Sequence, residues 1–208
     1  MTAPEIAIEY LAIGGKRLRP RLCRAVYDSL VKPGAAGRIE LVMEAIECFH
    51  KASLVHDDIQ DGDELRYGVP TVWKAHGVAV AIAVGDWLVA HGYELIAESG
   101  FVRVSEMLRM TVKSHLRLCE GQGDELVGGG SYLLNCERKT GEAFALAASL
   151  GAMAAECNPE PYREWGMTYG VIFQIDDDAA DGEADPEGVA RRAEFVRKLH
   201  DMPVGPFL

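Results

Sequence analysis

ECFHKASLVHDDIQD (Glu47–Asp61) decides the reading of this chain. It ends in three carboxylates, Asp57, Asp58 and Asp61, spaced i, i+1, i+4. At about 100° per residue on a helix, these fall within roughly a third of the circumference. His50 precedes them by two turns, near the same stripe. The spacing recurs in VIFQIDDDAAD, where Asp177, Asp178 and Asp181 follow Gln174 by about one turn. A single acidic run of this kind is usually a solvated helix face. Here both runs continue apolar helix, SLV before the first and VIFQI before the second, and carboxylates entering such surroundings need partners. Two helices aiming three carboxylates each at a shared cavity would need divalent cations to offset the charge. An all-oxygen donor set without a nearby Cys or His pair suits Mg²⁺, which typically bridges to substrate phosphates.

Working outward, Ala3 to Ala12 reads as a short amphipathic helix with Ile6, Ala7 and Tyr10 inside. IGGKRLRPRL follows, with Lys16, Arg17, Arg19 and Arg21 crowded after a glycine turn and Pro20 in the first turn of the next helix. Such a cationic turn at a helix start is suited to hold phosphate, or else is a solvated basic loop. Lys32 to Gly37 reads as a loop, Arg38 to Asp61 as one long helix, and Gly62 ends it. Arg66 in DELRYGVPT lies within reach of a diphosphate held near Asp61. Helical segments are expected from Thr71 to Glu98, punctuated by Gly77 and Gly85, from Phe101 to Leu126, from Tyr132 to Glu156, from Pro161 to Asp181, and from Val189 to His200. Asp86, in the most apolar of these, is expected to be buried and hydrogen-bonded. No strand-like alternation occurs. The expected fold is all-α, with seven to nine helices in a single domain spanning 1–208.

The totals narrow the function. The chain has 208 residues, 49% of them hydrophobic, enough for a sizeable core. A net charge of −11 argues against nucleic acid as a partner. There is no integral membrane segment by run length and no basic-then-apolar leader, so a cytoplasmic protein is expected. The five cysteines are scattered, odd in number and without metal-type spacing, which fits reduced thiols.

Jointly, GGKRLRP (14–20), HKASLVHDDIQD (50–61), DELRYGVPT (63–71), GQGDEL (121–126), RKTG (138–141) and GVIFQIDDDAAD (170–181) resemble the trans-isoprenyl diphosphate synthases, or polyprenyl synthetases, in the family's order. The resemblance implies an isoprenoid-synthase-type helical bundle around a central cavity, usually a homodimer. It implies a prenyltransferase that joins an allylic diphosphate to isopentenyl diphosphate and releases pyrophosphate. Carried over by position, Asp57, Asp58, Asp61, Asp177, Asp178 and Asp181 would hold Mg²⁺ on the allylic diphosphate. Asp176 is an extra acid where the family usually has none. Lys16, Arg19 and His50 would bind isopentenyl diphosphate. Arg66, Lys139 and Gln174 would face the allylic diphosphate, and Thr140 would lie near the forming cation. Ala52 and Ser53 are small where bulky residues would stop a growing chain. Phe49 is the first bulky side chain below them, so a product longer than farnesyl is expected.

Two departures stand out. Tyr67 occupies a position where the family often carries a second arginine. Losing one charge-assisted contact of roughly 1.5–3 kcal/mol predicts weaker isopentenyl diphosphate binding or a different second substrate. The chain also begins close before Gly14 and ends soon after Asp181, which predicts a short member without the usual N-terminal helix and C-terminal helices. The competing classes are a terpene cyclase acting on an allylic diphosphate alone and a non-catalytic subunit of a larger synthase. The retained Lys16, Arg19 and His50 argue against the first, and two intact acidic triplets argue against the second.

Overall fold

A computed structural model describes residues 1–34 and 37–207. Ala35, Ala36 and Leu208 lie outside the described residues, so the expected 32–37 loop is described only at its ends. Ten α-helices occur among the described residues: α1 (Ala3–Ala12), α2 (Leu18–Leu30), α3 (Ile39–Asp61), α4 (Val72–His76), α5 (Val78–Ala97), α6 (Val104–Leu126), α7 (Tyr132–Cys136), α8 (Glu142–Ala154), α9 (Glu160–Asp181) and α10 (Pro186–Asp201). A two-stranded hairpin, β1 (Leu65–Arg66) and β2 (Val69–Pro70), is the only strand pairing among them. The sequence reading missed it because two residues per strand are too few to alternate.

The helix total exceeds the expected range because two expected helices are divided. Gly77 breaks the 71–98 segment between α4 and α5, whereas Gly85 does not interrupt α5 and is buried against the His56 ring. A π-helical turn, Glu137–Gly141, interrupts 132–156 between α7 and α8. The chain resolves into two compact units, 1–20 with 40–99, and 21–39 with 100–207.

In the first unit α1 and α4 pack on α5. Their core gathers Ile6, Ala7 and Tyr10 with Cys48, Ala52 and Val55 of α3 and Ala81, Val84 and Leu88 of α5. Asp86 departs from expectation. Its side chain is 73% exposed, and its nearest recorded partner is His56, whose Nε2 lies 3.7 Å away. The physical reason is that α5 buries only one face here: Val78, Ile82 and Asp86 share the exposed side, i, i+4, i+8. By length and composition α5 is the one described helix apolar enough to cross a membrane, with a third of that window buried.

In the second unit α8 lies against α9. Every residue of α8 except Ala143 is buried, as its alanine-rich sequence EAFALAASLGAMA permits. The close fit comes from α9. A Cβ at Gly166 would meet the Phe144 carbonyl oxygen at 2.6 Å, and one at Gly170 would meet the Gly141 Cα at 2.8 Å and the Thr140 oxygen at 2.9 Å. Buried Glu142 anchors the first turn of α8. It accepts from Ser114 of α6 at 2.5 Å and from Arg163 of α9 at 2.6 Å, with Arg117 at 3.5 Å. A buried carboxylate with several donors is the arrangement that makes such a charge tolerable. The π turn is thereby held at its C-terminal flank.

Candidate active site

The first unit carries the first acidic triplet on the last turn of α3. The three carboxylates do not share one environment. Asp58 is fully buried, Asp57 is half-buried and Asp61 is exposed. Asp58 points inward because the hairpin returns Arg66 to it: Arg66 Nε donates to Asp58 Oδ1 at 2.5 Å, and a terminal nitrogen donates to Asp63 at 3.2 Å. The hairpin itself is tied down by Thr71 Oγ1 and Trp73 Nε1, both donating to the Asp63 carbonyl at 2.8 Å. Burial raises the Asp58 carboxyl above its usual range, with Arg66 pulling the other way. Its second oxygen, Oδ2, is buried without a hydrogen-bond partner.

Tyr67 and Gly68 form the two-residue turn, with φ of 54° and 78°. Two successive left-handed residues are the pattern of a tight hairpin turn, which normally uses Asn or Gly. A tyrosine there is strained, and its ring lies 5.3 Å from the Lys51 amine.

The cationic turn before α2 divides its charges. Arg17 is committed to Glu44 at 2.7 Å. Lys16 is exposed. Arg19 places a terminal nitrogen 3.4 Å from each ring nitrogen of His50. Burial, then the Arg19, Lys51 and Arg66 charges, hold the His50 pKa well below the usual histidine range, so the ring is neutral at neutral pH. Phe49 packs edge-to-face on Tyr93 with centroids 5.3 Å apart, against Gly92. Ala52 is buried, while Ser53 is exposed and donates to the His50 carbonyl at 2.8 Å.

The second unit carries the second triplet on α9, where the positions Gly166, Gly170, Gln174 and Asp178 form one i, i+4 stripe. The glycines bring α9 against the π turn, and the polar pair continues the stripe as a hydrogen-bonded chain. Thr140 Oγ1 donates to Gln174 Oε1, Gln174 Nε2 to Asp178 Oδ1, and Tyr132 Oη to Asp178 Oδ2, each at 2.6 Å. Burial first, and the Asp178 bond second, push the Tyr132 phenol far above its usual pKa, so it stays a donor. Asp177 and Asp181 are exposed. Lys139 is paired with Glu125 and the adjacent Arg138 with Asp124, joining the π turn to the end of α6. Asp176, the extra acid, pairs with Arg192 of α10.

The two triplets follow one design: the middle aspartate is bonded to protein donors and the outer pair lies one turn apart. Among the described residues no group of three or more His, Cys, Asp or Glu is gathered closely enough to enclose a metal by itself. The orphaned buried Oδ2 of Asp58 and the carboxylate oxygens of the two triplets suit a hard cation such as Mg²⁺, which usually takes one or two carboxylates and keeps several waters. Tyr132, Glu125 and Lys51 are site-bordering residues that sequence reasoning missed. Tyr132 lies 46 positions from its partner, and nothing local marks it.

The polyprenyl synthetase family model matches 3–194. A short chain isoprenyl diphosphate synthase of Methanocaldococcus jannaschii is 33% identical over 181 residues, 82% of this chain and 55% of that protein. The chain thus spans little more than half the length of this curated relative. A solved geranyltranstransferase from Thermotoga maritima superposes with TM-score 0.83 at 25% identity, covering 97% of this chain and 81% of that one. A polyprenyl synthase from Caulobacter crescentus, solved with calcium and isoprenyl diphosphate, gives TM-score 0.77 at 31% identity, covering 88% and 58%. With the helical fold, both acidic helix ends and the family match in agreement, this chain belongs to the polyprenyl synthetase family.

Proposed function

We propose that the chain carries the working residues of a Mg²⁺-dependent prenyltransferase, which condenses an allylic diphosphate with isopentenyl diphosphate into a longer trans-prenyl diphosphate and pyrophosphate. The observation carrying this reading is the repeated design of the two acidic helix ends, Asp57, Asp58 and Asp61 on α3 and Asp177, Asp178 and Asp181 on α9. The calcium and isoprenyl diphosphate in the Caulobacter crescentus relative support a divalent cation and a diphosphate ligand. Bound to these carboxylates, Mg²⁺ would neutralise charge growing on the departing diphosphate.

The remaining work falls to side chains of this chain. Arg66 and Lys139 present cations to the allylic diphosphate. The oxygen of Thr140, aimed by its bond to Gln174, faces the carbocation. Lys16, Arg19 and His50 hold isopentenyl diphosphate. His50, neutral because it is buried, gives a hydrogen bond without adding charge. Apolar walls exclude the water that would quench the cation, and released pyrophosphate takes the proton. The exposed apolar residues Val78 and Ile82 of α5 support a homodimer, and five free cysteines support a reducing compartment such as the cytoplasm. The reading treats 1–208 as one domain.

The test is a product assay with Mg²⁺, labelled isopentenyl diphosphate and each of dimethylallyl, geranyl and farnesyl diphosphate. Elongation that stops on adding chelator is the expected result, from a preparation sedimenting at twice the 22.7 kDa chain mass. Hydrocarbon formed from the allylic diphosphate alone would replace this reading with a cyclase, and no turnover would replace it with a non-catalytic subunit. A second expectation concerns product length. Phe49→Ala removes the ring packed on Tyr93 and Gly92 and should lengthen the product by at least one isoprene unit. An unchanged product distribution would remove Phe49 from that role.

A further inference from the structure

Lys51 is a cation the proposed chemistry does not use. It is 1% exposed, and among the described residues no carboxylate lies within ion-pair distance of its amine. Glu47, one turn earlier on α3, supports it only at longer range. Its recorded hydrogen bonds go to two consecutive backbone carbonyls outside α3, Ile13 at 2.7 Å and Gly14 at 3.0 Å. Two aromatic rings flank it, Tyr10 with its centroid at 5.0 Å and Tyr67 at 5.3 Å. Burying a lysine without a paired carboxylate is costly, and burial lowers its pKa. Backbone carbonyls and aromatic faces are what is left to hold it.

The carbonyls it takes belong to the entry of the cationic turn. Gly15, with φ of 145°, and Arg17, with φ of 47°, carry the chain from there to Arg19. Arg17 is one of the three described non-glycine residues with positive φ, and Tyr67 is another. One strained residue, Tyr67, therefore flanks the buried amine, and another, Arg17, lies three positions after the Gly14 carbonyl that the amine holds; strain of this kind persists only where its surroundings over-determine it. Lys51 follows His50 directly on α3, so the same helical turn that carries His50 also grips the segment that carries Lys16 and Arg19.

We propose that Lys51 is a positioning residue for the diphosphate site formed by Lys16, Arg19 and His50, pinning the Ile13–Gly14 carbonyls beneath the Tyr10 and Tyr67 rings so that the cationic turn is set before ligand binds. Tyr67 then serves as the cover of that amine and is not itself a phosphate ligand. This rests on the prenyltransferase reading for the identity of the ligand, isopentenyl diphosphate, and the experiment separates the two.

Isopentenyl diphosphate is titrated calorimetrically into wild-type, Lys51→Met and Tyr67→Ala proteins in chelator, which silences the acidic side. Initial rates with Mg²⁺ are measured in parallel. Lys51→Met keeps the stem and removes the donors. Loss of two charge-assisted bonds that order the turn should weaken isopentenyl diphosphate binding by about ten- to a hundredfold. The KM for the allylic diphosphate and kcat at saturation should stay within about twofold. Tyr67→Ala truncates an exposed side chain, folds irrespective of the core, and should weaken the same binding by about three- to tenfold. Unchanged affinity in both variants overturns the proposal. So does an equal rise in both KM values, or a fall in kcat, which would mark a general structural role. Failure of the wild type to bind in chelator overturns it too. If the wild type binds but elongates nothing, the prenyltransferase reading falls, and the affinities of the variants still decide the role of Lys51.

Discussion

Asp57→Ala is expected to reduce kcat by about 10²–10³ while leaving the fold and its stability nearly intact, the range seen when one group stabilising transition-state charge is removed. The structure singles out Asp57 for this test over its neighbour. Asp58 is fully buried and bonded to Arg66, so its loss would mix activity with stability. Asp57 is half-buried on the last turn of α3, and Asp61 lies one turn on. Rates measured against Mg²⁺ concentration give the check. The variant should need more Mg²⁺ and remain slow at saturation, with an unchanged circular dichroism spectrum. Full turnover at ordinary Mg²⁺ would remove Asp57 from the metal site.

The largest stability effect should come from the partner of the middle aspartate. Arg66→Ala leaves the Asp58 carboxylate buried with no donor, and removing one member of a buried pair costs about 3–5 kcal/mol. The loss should depend on pH in a definite direction. The Asp58 pKa is already raised by burial, and Arg66 is the main influence lowering it. Without Arg66, the native state binds a proton more tightly than the unfolded chain does. Stability linked to that proton is fully present below the ordinary aspartate pKa and is lost as pH rises through the raised one. Urea unfolding should therefore show the deficit of Arg66→Ala shrinking as pH is lowered and complete at neutral pH. A deficit independent of pH would mean that Asp58 is not the group left exposed to the loss.

Much of the fold was legible because helical periodicity and stops are local. The bounds of α1 and the residues on its buried face follow from Ile6, Ala7 and Tyr10, and Gly62 marks the end of α3. Asp86 was misread because an acid in an apolar helix reads as buried only if the helix is buried all round, and α5 is not. At the site, residue types and positions were legible, since DDxxD, GGKR and Gln174 are sequence patterns. Their pairing was not. That Asp58 turns to Arg66, that Asp178 receives Tyr132, and that Lys139 meets Glu125 depend on the hairpin and the π turn, which are set by tertiary packing. The Lys51 contacts with Ile13 and Gly14 join positions more than thirty residues apart, beyond any local signal.

The π turn between α7 and α8 also sets a phase. A wide turn amounts to one residue inserted into a continuous helix, and each residue advances the side chains by about 100°. The chain from Ser131 to Ala155 thus carries two angular registers, one that aims Tyr132 at Asp178 and one that buries the alanine face of α8. A uniform helix of the same sequence would have to give up one of the two. Thr140 sits at the seam, where the registers change, and its hydroxyl reaches Gln174 from there. The same strand of chain can therefore vary its core packing on one side of the seam without re-aiming the polar groups on the other.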